Sequence, residues 1–349
     1  MAAEDQNPVA ENRRGDLPGH APELVFGHEI LAPAIAALPR PYALVAQPEP
    51  LGFVPPVVTG EAAYVGLVTS LEEAALERLD DLVPPVVALL GLGGGTAMDS
   101  AKYLAWRRGV ALFEAPSALS VDACVTNTVA IRAGGRVEYR GFVTADRVLV
   151  DFDLVQRAPV RMNRAGLGDL LSIHTALWDW HLAAERGLSR LVPAFVTRAE
   201  TILDRVESLS EEVREVSDRA GEAVVRAYLD VNDMVAELGH AQVEEGSEHY
   251  FVYCLEQVTG RPFVHGEVVS LGTILMAFLQ GNRSDRPRKI AERAGVQWEA
   301  TKLGISHEEL SETLRRLPSF VRESSLSYSV INEVSLDEAA IDHLVELAS

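Results

Sequence analysis

Lysine and cysteine are the scarce residues of this chain. Only three lysines, Lys102, Lys289 and Lys302, occur in 349 residues, and the other strong bases are arginines. Two cysteines, Cys124 and Cys254, are too few for a disulfide scaffold or a thiolate zinc cluster, so a reducing compartment, the cytoplasm, is expected. No apolar run approaches the ~20 residues that cross a bilayer, so membrane insertion is not expected. Residues 1–20 carry acids and no apolar stretch, and read as a flexible tail rather than a signal peptide. Positive charge is short as well. Thirty-one Lys and Arg against 51 Asp and Glu leave a formal net charge of −20, which argues against nucleic acid and anionic membrane surfaces as partners. An anionic ligand therefore needs a local device to hold it.

One such device is present. The apolar run Pro84 to Leu90 feeds Gly91-Leu92-Gly93-Gly94-Gly95-Thr96, and a helix-compatible segment, Asp99 to Trp106, leaves it. Strand, glycine turn and helix in that order expose backbone N–H groups at a positive helix end, which suits a phosphate or pyrophosphate. Asp99 and Lys102 lie three residues apart on the helix that follows. A glycine triplet alone is equally compatible with a tight turn that binds nothing.

The remaining pattern divides the chain. With 48% hydrophobic and 23% charged residues it can bury a large core, and its length fits two domains at ~150 residues each. Residues 21–158 alternate strands (42–46, 84–90, 110–113, 147–151) with helices, among them 71–82 with Ser70 as its N-cap. A hairpin is expected over Thr128 to Ala130, Gly134-Gly135 and Val137 to Tyr139. This predicts a Rossmann-like α/β domain with a mostly parallel sheet and ligands at the carboxyl ends of its strands. From residue 159 to 349 the signals are helical, over 167–187, 194–208, 210–238, 247–258, 267–281, 287–294 and 307–316, which predicts an all-α second domain. Where a dinucleotide fold carries an acid for the adenosine ribose, this chain has Ala46-Gln47-Pro48-Glu49, so NAD and NADP both stay open.

Three places in the helical half carry ligand chemistry. Asp169 sits in Gly166-Leu167-Gly168-Asp169, read as the opening of a helix, and His249 and His265 each begin another. One carboxylate and two imidazoles from three helices would hold a divalent cation with positions left open. His174 and His181 compete for the role, and spacing does not decide among them. Pro116 to Thr126 follows a strand end and offers Ser117, Ser120, Asp122 and Thr126, although polar loops of this kind commonly only cap and turn. Cys124 reads as a packing residue.

These motifs together resemble the iron-containing alcohol dehydrogenase and dehydroquinate synthase-like superfamily, and within it the sn-glycerol-1-phosphate dehydrogenase family. The resemblance rests on five stretches in the family's order: Gly93 to Lys102 (GGGxxxDxAK), Pro116 to Asp122, Gly166 to Ser172 with Ala176 to Ala183 beyond it, Gly246 to His249, and His265 to Glu267. It covers about residues 24–281. What it implies is a dehydroquinate synthase-like fold and an oxidoreductase that interconverts a small ketone and a secondary alcohol, foremost dihydroxyacetone phosphate and sn-glycerol 1-phosphate. The alternatives are an unphosphorylated polyol or (amino)cyclitol, and, third, a sugar-phosphate cyclase resembling 3-dehydroquinate synthase. The cofactor, NAD or NADP, would lie on Gly93, Gly94, Gly95 and Thr96 with Asp99 and Lys102, and along Ser117, Ser120 and Thr126. Asp169, His249 and His265 would bind one divalent metal, zinc first and iron or nickel next. Asp122, Asp169 and Tyr253 would meet the substrate. Tyr253 departs from the pattern, because the family has a second histidine there; Arg161, Arg164 and Arg261 are the cations that can compensate towards a phosphate. A homo-oligomer is expected.

Overall fold

The computed structural model describes residues 21–133 and 136–349. The tail at 1–20 and the Gly134-Gly135 turn lie outside the described residues. The described chain divides into two compact units, one over residues 21–163 and one over Arg164–Ser349.

The first unit is a six-stranded sheet in the order β1-β8-β5-β4-β2-β3. The strands are β1 (Glu23–Gly27), β2 (Tyr42–Ala46), β3 (Tyr64–Leu67), β4 (Ala88–Gly93), β5 (Ala111–Pro116) and β8 (Arg147–Asp151), and every pairing is parallel. β2 and β4 are buried at every position, as sequences such as YALVA and ALLGLG require when helices cover both faces. β6 (Thr128–Ala133) and β7 (Arg136–Phe142) form a separate antiparallel pair, the expected hairpin strands.

The sheet order places the glycine turn. β4 lies between β2 and β5; the chain leaves β4 towards β5, whereas it leaves β2 towards β3. The two connections diverge, and the carboxyl end of β4 is the switch point where open α/β sheets bind ligands. The strand runs further than the apolar pattern suggests, taking in Gly91, Leu92 and Gly93, and the helix starts earlier, as Gly95–Arg108. Pro84 to Val87 precede the strand, and Val87 is exposed. Ser70 does not cap a helix over 71–82. That helix is Glu73–Leu82, with Glu72 at its N-cap, and the Ser70 hydroxyl accepts the Glu72 N–H at 3.1 Å instead.

The second unit is helical. His265–Gln280 is apolar on all sides and buried over nearly its whole length, so it forms the centre of the bundle. The helices Ser247–Thr259, His307–Glu323 and Glu338–Leu347 pack with it around Phe251, Leu271, Leu275, Leu314 and Leu344. Two expected helices are each two. The 167–187 segment breaks at Leu171-Ser172 between Val160–Leu170 and Ile173–Glu185, and Ser172 N–H turns back to the Asp169 carbonyl at 3.1 Å. The 210–238 segment breaks at Val216, which has φ 53°, and restarts at Ser217, whose side chain accepts the Ala220 N–H. Helix His307–Glu323 is longer than expected, and Glu338–Leu347 gave no signal.

Candidate functional site

At the carboxyl end of β4, Gly93 has φ 151°, and a Cβ there would stand 2.6 Å from Oε1 of Gln47 and 2.8 Å from the Ala97 methyl. Only glycine fits. Gly94 N–H donates to Gln47 Oε1 at 2.6 Å, so this amide of the turn is already engaged. Ser117 N–H closes the other side, donating to the Gly93 carbonyl at 2.7 Å. No side chain caps the Gly95–Arg108 helix, and the Ala97 and Met98 N–H groups turn back to the Gly94 carbonyl, so Gly95 and Thr96 N–H are the helix-start donors that can serve an anion. The Val121–Ala123 segment packs beside Gly95, which brings the Asp122 loop to the same turn. Ser117 and Ser120 are buried there.

Asp99 and Lys102 take a different place from the one the motif suggests. Both are buried: the Lys102 ammonium lies 2.7 Å from Asp99, 2.9 Å from the Thr126 hydroxyl and 2.9 Å from the Thr128 carbonyl. Lys102 therefore braces the loop that carries Thr126 and is turned into the core. Asp99 is likewise inside, near the Ala130 N–H, and does not close the turn. Burial raises the Asp99 carboxyl, with Lys102 opposing. Glu114 on β5 is wholly buried, and neither of its oxygens has a hydrogen-bond partner among the described residues. Burial pushes its carboxyl well above the usual range, with Lys102 pulling the other way. Glu114→Gln is expected to move Tm by less than about 3 °C. Lys102→Met strands a buried carboxylate and is expected to cost about 3–5 kcal/mol in a denaturation experiment.

In the helical unit Asp169, His249 and His265 offer ligand atoms that all lie within 4.8 Å of one another. Asp169 Oδ1 is 3.3 Å from His265 Nε2 and 3.7 Å from His249 Nε2. A cation with bonds of ~2.1 Å in tetrahedral geometry needs ligand atoms about 3.4 Å apart, so the set fits a zinc-sized ion. His174 and His181 do not compete. The His174 ring faces the Asn282 carbonyl at 2.8 Å, and His181 is exposed.

Asp169 does not open a helix, contrary to the sequence reading; it lies in the last turn of Val160–Leu170. A helix C-terminus disfavours a carboxylate, and the flanking imidazoles compensate. Burial alone would raise the Asp169 carboxyl, yet His265 and His249 hold it well below the ordinary carboxylate range. The glycines read as a helix start serve a crossing. A Cβ on Gly266 would overlap the Ala165 carbonyl, and one on Gly168 would overlap the Gly266 carbonyl. The two helices thus touch backbone to backbone, and this sets Asp169 against His265.

Sequence reasoning missed the support behind the ligands. Glu248, fully buried, places Oε1 3.0 Å from His249 Nδ1 and also accepts the Gly246 N–H at 2.6 Å and the Thr175 hydroxyl at 2.7 Å. This is the carboxylate–histidine arrangement that orients a metal ligand. Asp179 in turn accepts both the Ser247 N–H and hydroxyl and the Val330 N–H, and burial pushes its carboxyl up to about 7. An acid beside a histidine at a helix start reads as a solvated cap; only its burial reveals its role.

Burial alone would lower His249, but Asp169 and Glu248 hold its imidazole well above its ordinary value. A raised folded value favours the protonated imidazole; its contribution to stability is complete below ~6.5 and disappears as pH rises through the folded value. The Asp169 share has the opposite sign, being present above ~3.9 and lost as pH falls through the depressed value. A cation must displace the His249 proton. At neutral pH its uptake is expected to release about one proton, with apparent affinity rising about tenfold per pH unit. Calorimetric titration in buffers of different ionisation enthalpy counts that proton, and a pH-independent affinity would remove His249 from the ligand set.

The sequence model of the family described as iron-containing alcohol dehydrogenase matches residues 61–159. Glycerol-1-phosphate dehydrogenase [NAD(P)+] of Sulfurisphaera tokodaii is 30% identical over 74% of this chain and 72% of its own length. The same enzyme of Aeropyrum pernix is 28% identical over 79% and 77%. Among solved structures, an iron-containing alcohol dehydrogenase from Corynebacterium glutamicum matches with TM-score 0.71 at 15% identity, covering 95% of this chain and 96% of that one. Glycerol dehydrogenase from Schizosaccharomyces pombe gives 0.69 at 20% identity, covering 95% and 90%. An α/β sheet domain followed by a helical domain is the fold these structures share with this chain. The chain belongs to the iron-containing alcohol dehydrogenase superfamily, as a member resembling the glycerol-1-phosphate dehydrogenases. It is an NAD(P)-dependent alcohol dehydrogenase. Among the described residues no helix is long and apolar enough to cross a membrane.

Proposed function

We propose that this enzyme moves a hydride between a nicotinamide cofactor and a small polyhydroxylated ketone or secondary alcohol, with a divalent cation, zinc first and iron or nickel next, on Asp169, His249 and His265. The observation that supports this most is the spacing of those three side chains, with Glu248 fixing one imidazole. Residues 21–158 would bind the dinucleotide and 159–349 the metal and substrate.

When bound, the cation supplies Lewis acidity to the substrate oxygen, and the nicotinamide supplies or accepts the hydride at the carbon bearing that oxygen. The chain's own groups do the rest. Gly95 and Thr96 N–H groups hold the pyrophosphate. Ser117, Ser120 and the braced Thr126 line the cofactor's path. Asp169 would hold the cation together with His249 and His265 and so stand next to the substrate. Asp122 hydrogen-bonds a substrate hydroxyl and passes the reaction's single proton between it and solvent. Gln47, neutral where many dinucleotide folds have an acid, places no carboxylate against a 2′-phosphate, so both NADP and NAD are accommodated.

Relatives named glycerol-1-phosphate dehydrogenases make dihydroxyacetone phosphate the first phosphorylated substrate to assay. The unphosphorylated polyol or cyclitol is the second reading, and Tyr253 in the family's histidine position favours it. The test is consumption of NADPH or NADH by metal-loaded enzyme with each class of ketone. Metal-independent turnover, or product formed without net use of the nicotinamide, would refute the reading.

A further inference from the structure

We infer that the helical unit carries an anion site of its own, remote from the metal ligands, which takes a phosphate dianion, free or on a small metabolite. His265 opens the His265–Gln280 helix, and the chain leaves its other end through Gly281, Asn282 and Arg283 into the helix Asp285–Ala294. Sixteen residues at 1.5 Å each put the two ends of that helix ~24 Å apart. Beside the exit turn opens a depression of about 490 Å³, within the size range of small-molecule sites. Five cations, Arg214, Arg283, Arg286, Lys289 and Arg293, line it with three acids. In a chain of formal charge −20, this excess of positive charge reverses the overall balance.

The ion pairs decide which of these charges is left for a ligand. Glu207 holds Arg286 at 2.7 Å and Arg293 at 3.1 Å, and Asp204 reaches Arg286 at 2.5 Å. Asp285 pairs with Lys289, and Glu292 stands 3.9 Å from Arg288, which is not part of the lining. Arg214 and Arg283 have no carboxylate partner among the described residues. Arg214 donates from Nε to the Arg293 carbonyl at 2.6 Å and from Nη2 to the Glu292 carbonyl. Its orientation is therefore fixed, its charge is unopposed, and its Nη1 donors are left over. The Arg283 side chain makes no hydrogen bond among the described residues, and its backbone has φ 42°, a conformation that a non-glycine residue keeps only where its surroundings impose it. Asn282 fixes that turn: its side-chain amide donates to the His174 carbonyl at 2.9 Å, and its own carbonyl meets the His174 ring at 2.8 Å. Arg164 adds a further guanidinium behind Arg214, donating to the Arg214 carbonyl at 2.9 Å. Two unopposed guanidinium groups match a dianion in charge, and their planar forks match phosphate oxygens in geometry. A monoanion satisfies only one of them. Every lining side chain is charged, so recognition is electrostatic and weakens as salt is added.

Calorimetry on the full-length, metal-loaded enzyme saturated with NAD tests the site, because the nucleotide then occupies the anion donors at Gly95 and Thr96. The probes are inorganic phosphate, glucose 6-phosphate and acetate at low salt. One phosphate per chain is expected, bound about tenfold or more tightly than acetate. The ratio of the two phosphate affinities tells the free ion from a phosphorylated metabolite. Arg283→Gln is expected to weaken phosphate about tenfold or more, the size of one charge-assisted hydrogen bond, and to leave the thermal melt without phosphate unchanged. Arg214→Gln should weaken it to a similar degree. Arg288→Gln makes the same charge change on the same helix outside the depression, and should leave affinity within about twofold. Absence of saturable phosphate binding, binding unaltered by both lining substitutions, or an equal loss in Arg288→Gln overturns the inference.

Discussion

His265→Ala is expected to abolish tight metal binding and to lower kcat by at least about 10³-fold with the preferred ketone. Losing one oriented donor to a developing oxyanion already costs ~10²–10³, and here the whole electrostatic centre is lost. The fold should survive. The His265 side chain is about one-third exposed and occupies the first position of its helix, so its removal opens no core cavity. Metal analysis, turnover and a thermal melt on one preparation separate these effects. Full activity with no bound metal would remove the cation from the reaction.

Gly266→Ala should do the reverse, striking the fold first and the site through it. A single methyl group there overlaps the Ala165 carbonyl, a backbone atom that cannot swing aside. Overpacking a core contact commonly costs ~1–3 kcal/mol, and this one requires two helices to part, so about 3 kcal/mol or more is expected. At this chain length that is a fall in Tm of roughly 4 °C or more. Separation of the helices also moves Asp169 away from His265, so metal affinity should fall by 10-fold or more even in folded protein. A chemical denaturation curve and a metal titration on this variant read the two costs. Unchanged stability would mean that the helices do not cross at Gly168 and Gly266 as described.

Periodicity gave the parallel sheet and the helical half, and the motifs gave Asp169, His249 and His265 by residue type. Their convergence was not legible, because three positions far apart in sequence meet only through the packing of the His265–Gln280 helix on its neighbours. The glycines around Asp169 were legible as special and were assigned to the wrong cause. Gly166 and Gly168 resemble a helix start, whereas the structure uses Gly168 and Gly266 to let two backbones touch. Lys102 shows the same limit. Its rarity flagged it, but only burial tells that its charge is directed at Asp99 and the Thr126 loop. Glu248 carried no signal, since an acid at a helix start is ordinary on a surface, and neither did Asp179, an acid in mid-helix that burial alone sets apart.

The meeting of Asp169 with two imidazoles carries one more implication. Because the His249 ring sits against Asp169, which favours its charged form, a proton there acts as a placeholder of like sign for the ion, and the surrounding helices are held by Glu248 and the glycine crossing whichever of the two is present. The cradle is cast before it is filled. Chelation should therefore leave a protein that regains its activity on simple addition of metal, without refolding.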